Sequence, residues 1–141
     1  MPQSPIKRIP QKRLFLSLLC LSLAAFALAA CTSQQAGDPA DAVEAYLKAM
    51  VANETDKLAS LVCPAYESGA RTDFDSFSSI GGVTLDSADC TTVTTEGDSA
   101  TVTCTGAINF TYNGEANSQD LSLNTYVTHK VDGNWTMCGY Q

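Results

Sequence analysis

Positive charge is scarce in this chain once its first thirty residues are left aside. Only four basic residues follow, Lys48, Lys57, Arg71 and Lys130, against fifteen acidic ones, which gives residues 31–141 a formal net charge of −11. A surface of that sign repels the phosphates of nucleic acids and anionic lipid headgroups. We therefore expect a solvated acidic exterior and no nucleic-acid partner.

Residue patterns typical of metal and catalytic sites are also missing. The sequence has no Cys-x-x-Cys pair, no glycine-rich phosphate loop and no Ser-His-Asp spacing that would support nucleophilic catalysis. Its single histidine, His129, cannot complete a zinc site alone. His129 also lies three residues before Asp132-Gly133, a tight-turn signal, so an exposed side chain is expected there. We therefore predict no catalytic residue, no metal and no other cofactor.

The acidic and tyrosine side chains give no stronger signal for a site. Four aspartates lie in or beside loop-like sequence, where solvated carboxylates are expected: Asp73, Asp75, Asp86 and Asp89. Five tyrosines are spread along the chain: Tyr46, Tyr66, Tyr112, Tyr126 and Tyr140. Core packing is the expected role of most of them, with one or two available to line a cavity.

The first thirty residues have the order of a secretory signal. Four basic residues lie between positions 7 and 13, and the seventeen residues 14–30 carry no charge. The apolar run ends in small residues, as at a cleavage site. Its end, Leu28-Ala29-Ala30-Cys31, resembles the lipobox of bacterial lipoproteins. The resemblance implies a lipid on the sulfur of Cys31 and removal of residues 1–30 as a signal peptide.

A lipid on Cys31 makes the membrane a partner of the mature chain. Residues 31–37 are short and polar and are expected to form a flexible tether, and residues 38–141 a single domain. Two or three acyl chains would hold that domain on the cell membrane or outer membrane, facing the periplasm or the exterior. Two weaker alternatives remain. An ordinary signal peptide would have Cys31 at its cleavage point only by chance. A retained transmembrane helix is weak because seventeen apolar residues are at the lower limit for spanning a bilayer.

The domain begins with a helical pattern. Asp38-Pro39 is typical of a helix start, and apolar side chains then recur at helical spacing from Val43 to Val51. Thr55 can cap a second helix, which a proline ends, and so short a link predicts a helical hairpin. Two phenylalanines further on predict only a short helical turn.

Alternating sequence after Gly81-Gly82 predicts a sheet. Four strands are expected, at residues 83–95, 99–112, 121–131 and 134–140. Asp132-Gly133 is a two-residue hairpin signal, whereas Asn113-Gly114 either turns the second strand into the third or begins a longer loop. Helices followed by consecutive strands indicate an α+β domain with an antiparallel meander.

Cysteine usage indicates disulfides. Cys20 leaves with the signal and Cys31 carries the lipid, so an even number remains in a small exported domain. The four that remain allow three connectivities: Cys63, Cys90, Cys104 and Cys138.

The turns between strands favour one of these connectivities. A three-residue turn at 96–98 places Cys90 opposite Cys104, at a pair whose Cα atoms are about 4.5 Å apart. The turn at Asp132-Gly133 places Cys138 opposite Val127, facing the helices, on the other side of the sheet from Cys90. We therefore predict the disulfides Cys90–Cys104 and Cys63–Cys138, although a one-residue slip in the 96–98 turn would undo the first.

The whole pattern resembles the nuclear transport factor 2-like (NTF2-like, or cystatin-like) domains, and among them a group of small bacterial lipoprotein domains of unknown function. The likeness rests on three stretches: Pro-Ala-Asp-Ala-Val-Glu-Ala-Tyr-Leu-Lys-Ala at 39–49, Leu61-Val62-Cys63-Pro64, and the terminal Asp-Gly-Asn-Trp at 132–135. It implies a cone-shaped α+β fold, in which an N-terminal helical hairpin packs on a curved four-stranded sheet that can leave a pocket at its open end.

Three functions are compatible with these observations. The first is a non-catalytic, surface-anchored module that binds a small apolar ligand in the cone or an envelope protein on the sheet, since no titratable groups assemble in the sequence. The second, implied by the resemblance, is an enzyme of the ketosteroid isomerase or polyketide cyclase type, with a buried carboxylate and a tyrosine. The third is a purely structural lipoprotein domain with a filled core. The sequence does not predict an oligomeric state.

Overall fold

The first helix provides the apolar side chains on which the sheet packs. The computed structural model describes residues 37–141, and helix α1 spans Pro39–Val51. The Asp38 carboxylate caps it by accepting the Ala40 N–H at 2.9 Å, with proline at the first helical position. Its apolar stripe is buried, as the spacing predicts: Val43, Tyr46, Leu47 and Met50.

Two further helices follow α1. The second predicted helix is a 3-10 turn at Thr55–Lys57 that continues into the four-residue helix α2, Leu58–Leu61. The short helical turn predicted around Phe74 is instead a twelve-residue helix, α3, Glu67–Ser78. Serines and aspartates hide its pattern, yet its inward side carries Ala70 and Phe74, both buried, and Phe77, half-buried. The helical part is thus three helices, where a two-helix hairpin was expected.

The sheet has five antiparallel strands, one more than predicted. Their bounds are β1 Gly81–Glu96, β2 Ser99–Tyr112, β3 Glu115–Asp120, β4 Thr125–Val131 and β5 Asn134–Tyr140. The order is β1-β2-β4-β5, and β3 also pairs with β2. Asn113-Gly114 turns β2 into β3, a strand absent from the prediction, and the predicted strand at 121–131 corresponds to β4, which begins at Thr125. The result is an α+β domain with a curled antiparallel sheet.

Strand β2 divides one of its edges between two partners. Its residues 107–112 pair with β3 and its residues 99–103 pair with β4. A 3-10 turn, Leu121–Leu123, connects the two partners and changes the alternation of side chains between them. The core-facing residues of these strands include Tyr126 and Thr128 on β4 and Met137 on β5, and Thr128 and Met137 are opposite each other and fully buried. The prediction that Val127 and Cys138 face the core is therefore wrong.

The two predicted cysteine pairs lie at disulfide distance, with Cα separations of 4.0 Å for Cys90–Cys104 and 5.3 Å for Cys63–Cys138. The turn that brings the first pair together differs from the prediction. It has two residues, because Glu96 is opposite Ser99, and a bulge at Val93 then restores the expected register. At the second pair, the Cys63 N–H donates to the Met137 carbonyl at 2.9 Å, which ties the end of α2 to strand β5.

A second bulge bends the long β1–β2 hairpin. Ser87 has a φ of 57° and Gly106, on the strand opposite, a φ of 116°. A Cβ atom at position 106 would collide with the Ser87 carbonyl, so the close approach of the two strands requires glycine. This bend and the change of partner along β2 curl the sheet over the helices.

None of the helices described in residues 37–141 is long and apolar enough to cross a membrane. The predicted signal peptide, Cys31 and the tether up to residue 36 lie outside the described residues.

Candidate functional site

A cavity of about 300 Å³ lies between the helices and the inner side of the sheet. Helices α1 and α3 form one wall, and β2, β4 and β5 form the other. Most of the lining is apolar or aromatic: Tyr46, Leu47, Met50, Phe77, Ile80, Ile108, Phe110, Leu121, Tyr126 and Tyr140. Ser76, Gln119 and Asn124 add neutral polar groups, and Asp73 is the one charged side chain among the described residues that line the cavity.

Asp73 accepts hydrogen bonds from three tyrosine hydroxyls. Its Oδ2 atom accepts from Tyr46 at 2.8 Å and from Tyr66 at 2.5 Å, and its Oδ1 atom accepts from Tyr140 at 3.2 Å. These four residues are called the Asp73 cluster below. They come from α1, from the residue before α3, from α3 itself and from the end of β5, so only the folded domain assembles them.

The surroundings of the cluster keep its tyrosines protonated. Burial is the largest cause that raises the pKa of Tyr46 and of Tyr66 above the ordinary value of 10.0, and the Asp73 carboxylate raises both further. Burial also raises the pKa of Tyr140 and of Tyr126. Each hydroxyl is therefore a hydrogen-bond donor over the whole physiological pH range.

The negative charge of Asp73 has no cationic partner within residues 37–141. Three salt bridges are present there, Lys48–Glu44, Lys57–Glu54 and Arg71–Glu67, and each joins neighbours on the exposed side of one helical segment. The fourth basic side chain places its ammonium 4.8 Å from the Trp135 ring centre. Hydroxyl dipoles alone therefore compensate the Asp73 carboxylate.

The carboxylate still has capacity for a further hydrogen bond. An ionised carboxylate offers about four lone-pair sites, and three are occupied here. The bond from Tyr140 is the longest, and the Tyr140 side chain is 47% exposed. A ligand donor can therefore reach Oδ1 beside Tyr140 or in its place.

The aspartates and histidine singled out in the sequence have different outcomes. Asp73 was expected to be solvated and is instead half-buried, because α3 is longer than the predicted turn and directs it to the tyrosines. Asp75, Asp86, Asp89 and His129 are exposed, as expected. No group of three His, Cys, Asp or Glu side chains in residues 37–141 is arranged to hold a metal ion.

Sequence reasoning missed the cluster although one local signal was present. Tyr66 and Asp73 are seven residues apart, which places them on one side of a helix two turns apart. The contributions of Tyr46 and Tyr140 depend on packing and could not be read from local spacing. Tyr112, for which core packing was expected, is 58% exposed.

No protein-family model matches the chain, and no curated protein matches it by sequence. Two solved structures are similar in fold. One is a SEC-C motif-containing protein from Rhodopseudomonas palustris, with a TM-score of 0.55, 13% identity, and coverage of 86% of this chain and 87% of that one. The other is an NTF2-like protein with a cystatin-like fold from Novosphingobium aromaticivorans, with a TM-score of 0.51, 14% identity, and coverage of 91% and 85%. The domain has the NTF2-like fold.

The cavity of this NTF2-like domain lies inside the cone, between the curled sheet and the helices. The Asp73 cluster stands at its wall, where α1, α3 and β5 meet. At these levels of identity the two structures establish the fold, and the choice of ligand depends on this chain's own residues.

Proposed function

We propose that this chain is an exported lipoprotein whose NTF2-like domain binds a small, largely apolar ligand without transforming it. The observation that carries the proposal is the aromatic and aliphatic cavity of about 300 Å³ with a single charged side chain at its wall. That volume is at the lower end of the range of small-molecule pockets. A cavity with this lining favours a small ligand over an envelope protein, and it is the opposite of the filled core expected of a purely structural domain.

The anchoring part of the proposal rests on the sequence. A lipid on Cys31 would hold the domain on the cell membrane or outer membrane, facing the periplasm or the exterior. Two cysteine pairs at disulfide distance support an oxidising compartment of this kind. The negative charge of residues 31–141 supports a domain that stands off an anionic membrane surface on its tether.

Hydrogen bonding at Asp73 fits a fixed binding group. Oδ2 accepts from Tyr46 and Tyr66, which holds the carboxylate in place, and Oδ1, which accepts only from Tyr140, is the atom that a ligand donor can reach. Such a carboxylate is suited to fixing the cavity wall and orienting a polar end of the ligand.

An enzyme of the isomerase or cyclase type is the second candidate function. The observation in its favour is a half-buried carboxylate beside tyrosine hydroxyls in an apolar cavity, since that combination can move a proton next to a polarised carbonyl. Asp73→Asn separates the two candidates. Conversion of the bound molecule by wild type, lost in Asp73→Asn while binding is retained, would support the enzyme, and recovery of the bound molecule unaltered from both proteins would support the binding module.

The binding proposal is tested by obstructing the cavity. Ser76 lines the cavity from α3, whereas Ser78, on the same helix and equally exposed, does not. We expect Ser76→Trp to weaken binding of phenethyl alcohol to the full membrane-extracted chain by about tenfold or more, and Ser78→Trp to leave it unchanged. Calorimetric titration measures binding by both variants. Partition of phenethyl alcohol into the detergent contributes equally to the two titrations and therefore does not affect their comparison. Equal binding by the two variants, or no binding by the wild type, would contradict the proposal.

A further inference from the structure

We propose that the ligand is an organic cation, an ammonium group on an apolar body, and that its ammonium binds the Asp73 carboxylate. This inference rests on the proposed function, because it assigns the chemical class of the ligand in the same cavity. It adds a charge requirement that the apolar lining alone does not impose.

The first argument is the charge balance of the domain. Every basic side chain in residues 37–141 is engaged away from the cavity, three with glutamates and Lys130 with Trp135. Asp73 is therefore a half-buried anion whose only partners in this part of the chain are neutral hydroxyls. An anion withdrawn from water is stabilised most by a cation, and none is supplied by the described residues.

The second argument is the geometry around the carboxylate. Three tyrosine rings surround it, with centres 6.4 Å apart for Tyr46–Tyr66 and 6.3 Å apart for Tyr66–Tyr140. Tyr126 extends this aromatic wall, with its ring centre 6.2 Å from that of Tyr140. The tyrosines direct their hydroxyl groups, at the ring edge, to the carboxylate, so the negative charge of Asp73 supplies the attraction for an ammonium and the neighbouring rings supply apolar surface for the body attached to it. An ammonium that donates to Oδ1 lies within this wall.

The third argument is the lining beyond the cluster. Leu47, Met50, Ile108 and Phe110 continue the cavity from the Asp73 wall without another charged group. An apolar body attached to the ammonium can pack there, which releases water from both surfaces. An anion of the same shape meets the negative charge of the Asp73 carboxylate and is repelled. The cavity therefore discriminates by charge at one wall and by shape in the remainder.

The inference is tested with three probes of one shape and different charge: phenethylamine, phenethyl alcohol and phenylacetate. Each is titrated calorimetrically at neutral pH into the full membrane-extracted chain and its variants. Asp73→Asn removes the charge and keeps an acceptor for the tyrosines. Asp75→Asn is the matched control, because Asp75 is exposed on the same helix and does not line the cavity. Both variants change the net charge equally.

We expect wild type to bind phenethylamine about tenfold more tightly than phenethyl alcohol, and phenylacetate more weakly than either. The advantage of the amine should disappear in Asp73→Asn and persist in Asp75→Asn. An amine that binds no more tightly than the alcohol in wild type would overturn the inference and leave the proposed function standing. If Asp73→Asn still binds phenethylamine more tightly than phenethyl alcohol, the inference is also overturned. The preference for the amine would then come from the overall negative charge of the domain rather than from Asp73. Absence of binding by every probe would overturn both.

Discussion

At Asp73, side chains that are 27, 7 and 67 positions away in sequence donate to one carboxylate. Only the shortest of these separations has a helical period that sequence reasoning can use. The sequence therefore predicts a solvated Asp73 and one or two tyrosines at a cavity, whereas three line it: Tyr46, Tyr126 and Tyr140. Residue roles that depend on distant contacts are the part of the site that the sequence could not supply.

Alkaline pH should destabilise the domain through the tyrosines of the Asp73 cluster. The pKa of Tyr46 and of Tyr66 is raised in the folded state, by burial first and then by Asp73. Below about pH 10 both are protonated whether the chain is folded or unfolded, so stability does not change. Above it, the unfolded chain releases protons that the folded chain retains. The free energy of unfolding should then fall by about 1.4 kcal/mol per pH unit for each such tyrosine.

Urea unfolding between about pH 8 and pH 11, together with phenolate absorbance, measures this effect. Tyr46→Phe serves as the matched variant, because it removes one titrating hydroxyl from the core and should make the loss of stability above pH 10 less steep. A wild-type domain that keeps its full stability while all of its tyrosines ionise would refute the assignment.

Among the elements, α1 and β2 are the best predicted, and α3 and β3 the least. Helix α1 has a cap and a strong apolar stripe, and β2 alternates cleanly between two turns. Strand β3 is exposed at every position and therefore shows no alternation to detect. The Cys90–Cys104 pair was predicted through a three-residue turn, whereas a two-residue turn and a bulge at Val93 produce the same register. Bulges leave little trace in a single sequence.

The two cysteine pairs, joined as disulfides, should contribute different amounts to the free energy of unfolding. Cys63–Cys138 would close 75 positions and Cys90–Cys104 only 14. Loop-closure entropy predicts a contribution of about 4.5 kcal/mol from the first and about 3 kcal/mol from the second. We therefore expect the double variant Cys63→Ala, Cys138→Ala to lower the urea midpoint more than Cys90→Ala, Cys104→Ala does. The reverse order would show that native packing at the hairpin, rather than loop length, decides the loss.

For the molecule as a whole, sequence patterns predict the α+β class and the order of helices before strands, and the resemblance to NTF2-like domains implies the cone. They cannot predict the cavity, because its volume depends on how far the sheet curls. That curl comes from local features, among them the close approach of Ser87 to Gly106 and the 3-10 turn at Leu121–Leu123. Whether a cone is filled or hollow is therefore a property of the assembled layers rather than of any one segment.

Anchoring is the whole-molecule property that most needs a direct test. We expect Cys31→Ser to abolish incorporation of labelled fatty acid and to leave the precursor uncleaved, because it removes the sulfur that we propose carries the lipid. Metabolic labelling and fractionation of the envelope measure both effects. Cys20→Ser is the control, since that cysteine lies inside the signal and should be dispensable. Normal processing and membrane retention of Cys31→Ser would contradict the lipoprotein assignment.

The distribution of basic side chains has a practical consequence for labelling. The three lysines in residues 37–141, Lys48, Lys57 and Lys130, all lie outside the cavity lining. Amine-reactive dyes can therefore be attached to the folded domain while its interior stays unmodified. Lys48, whose side chain is 60% exposed, is one such attachment point on the outer side of helix α1.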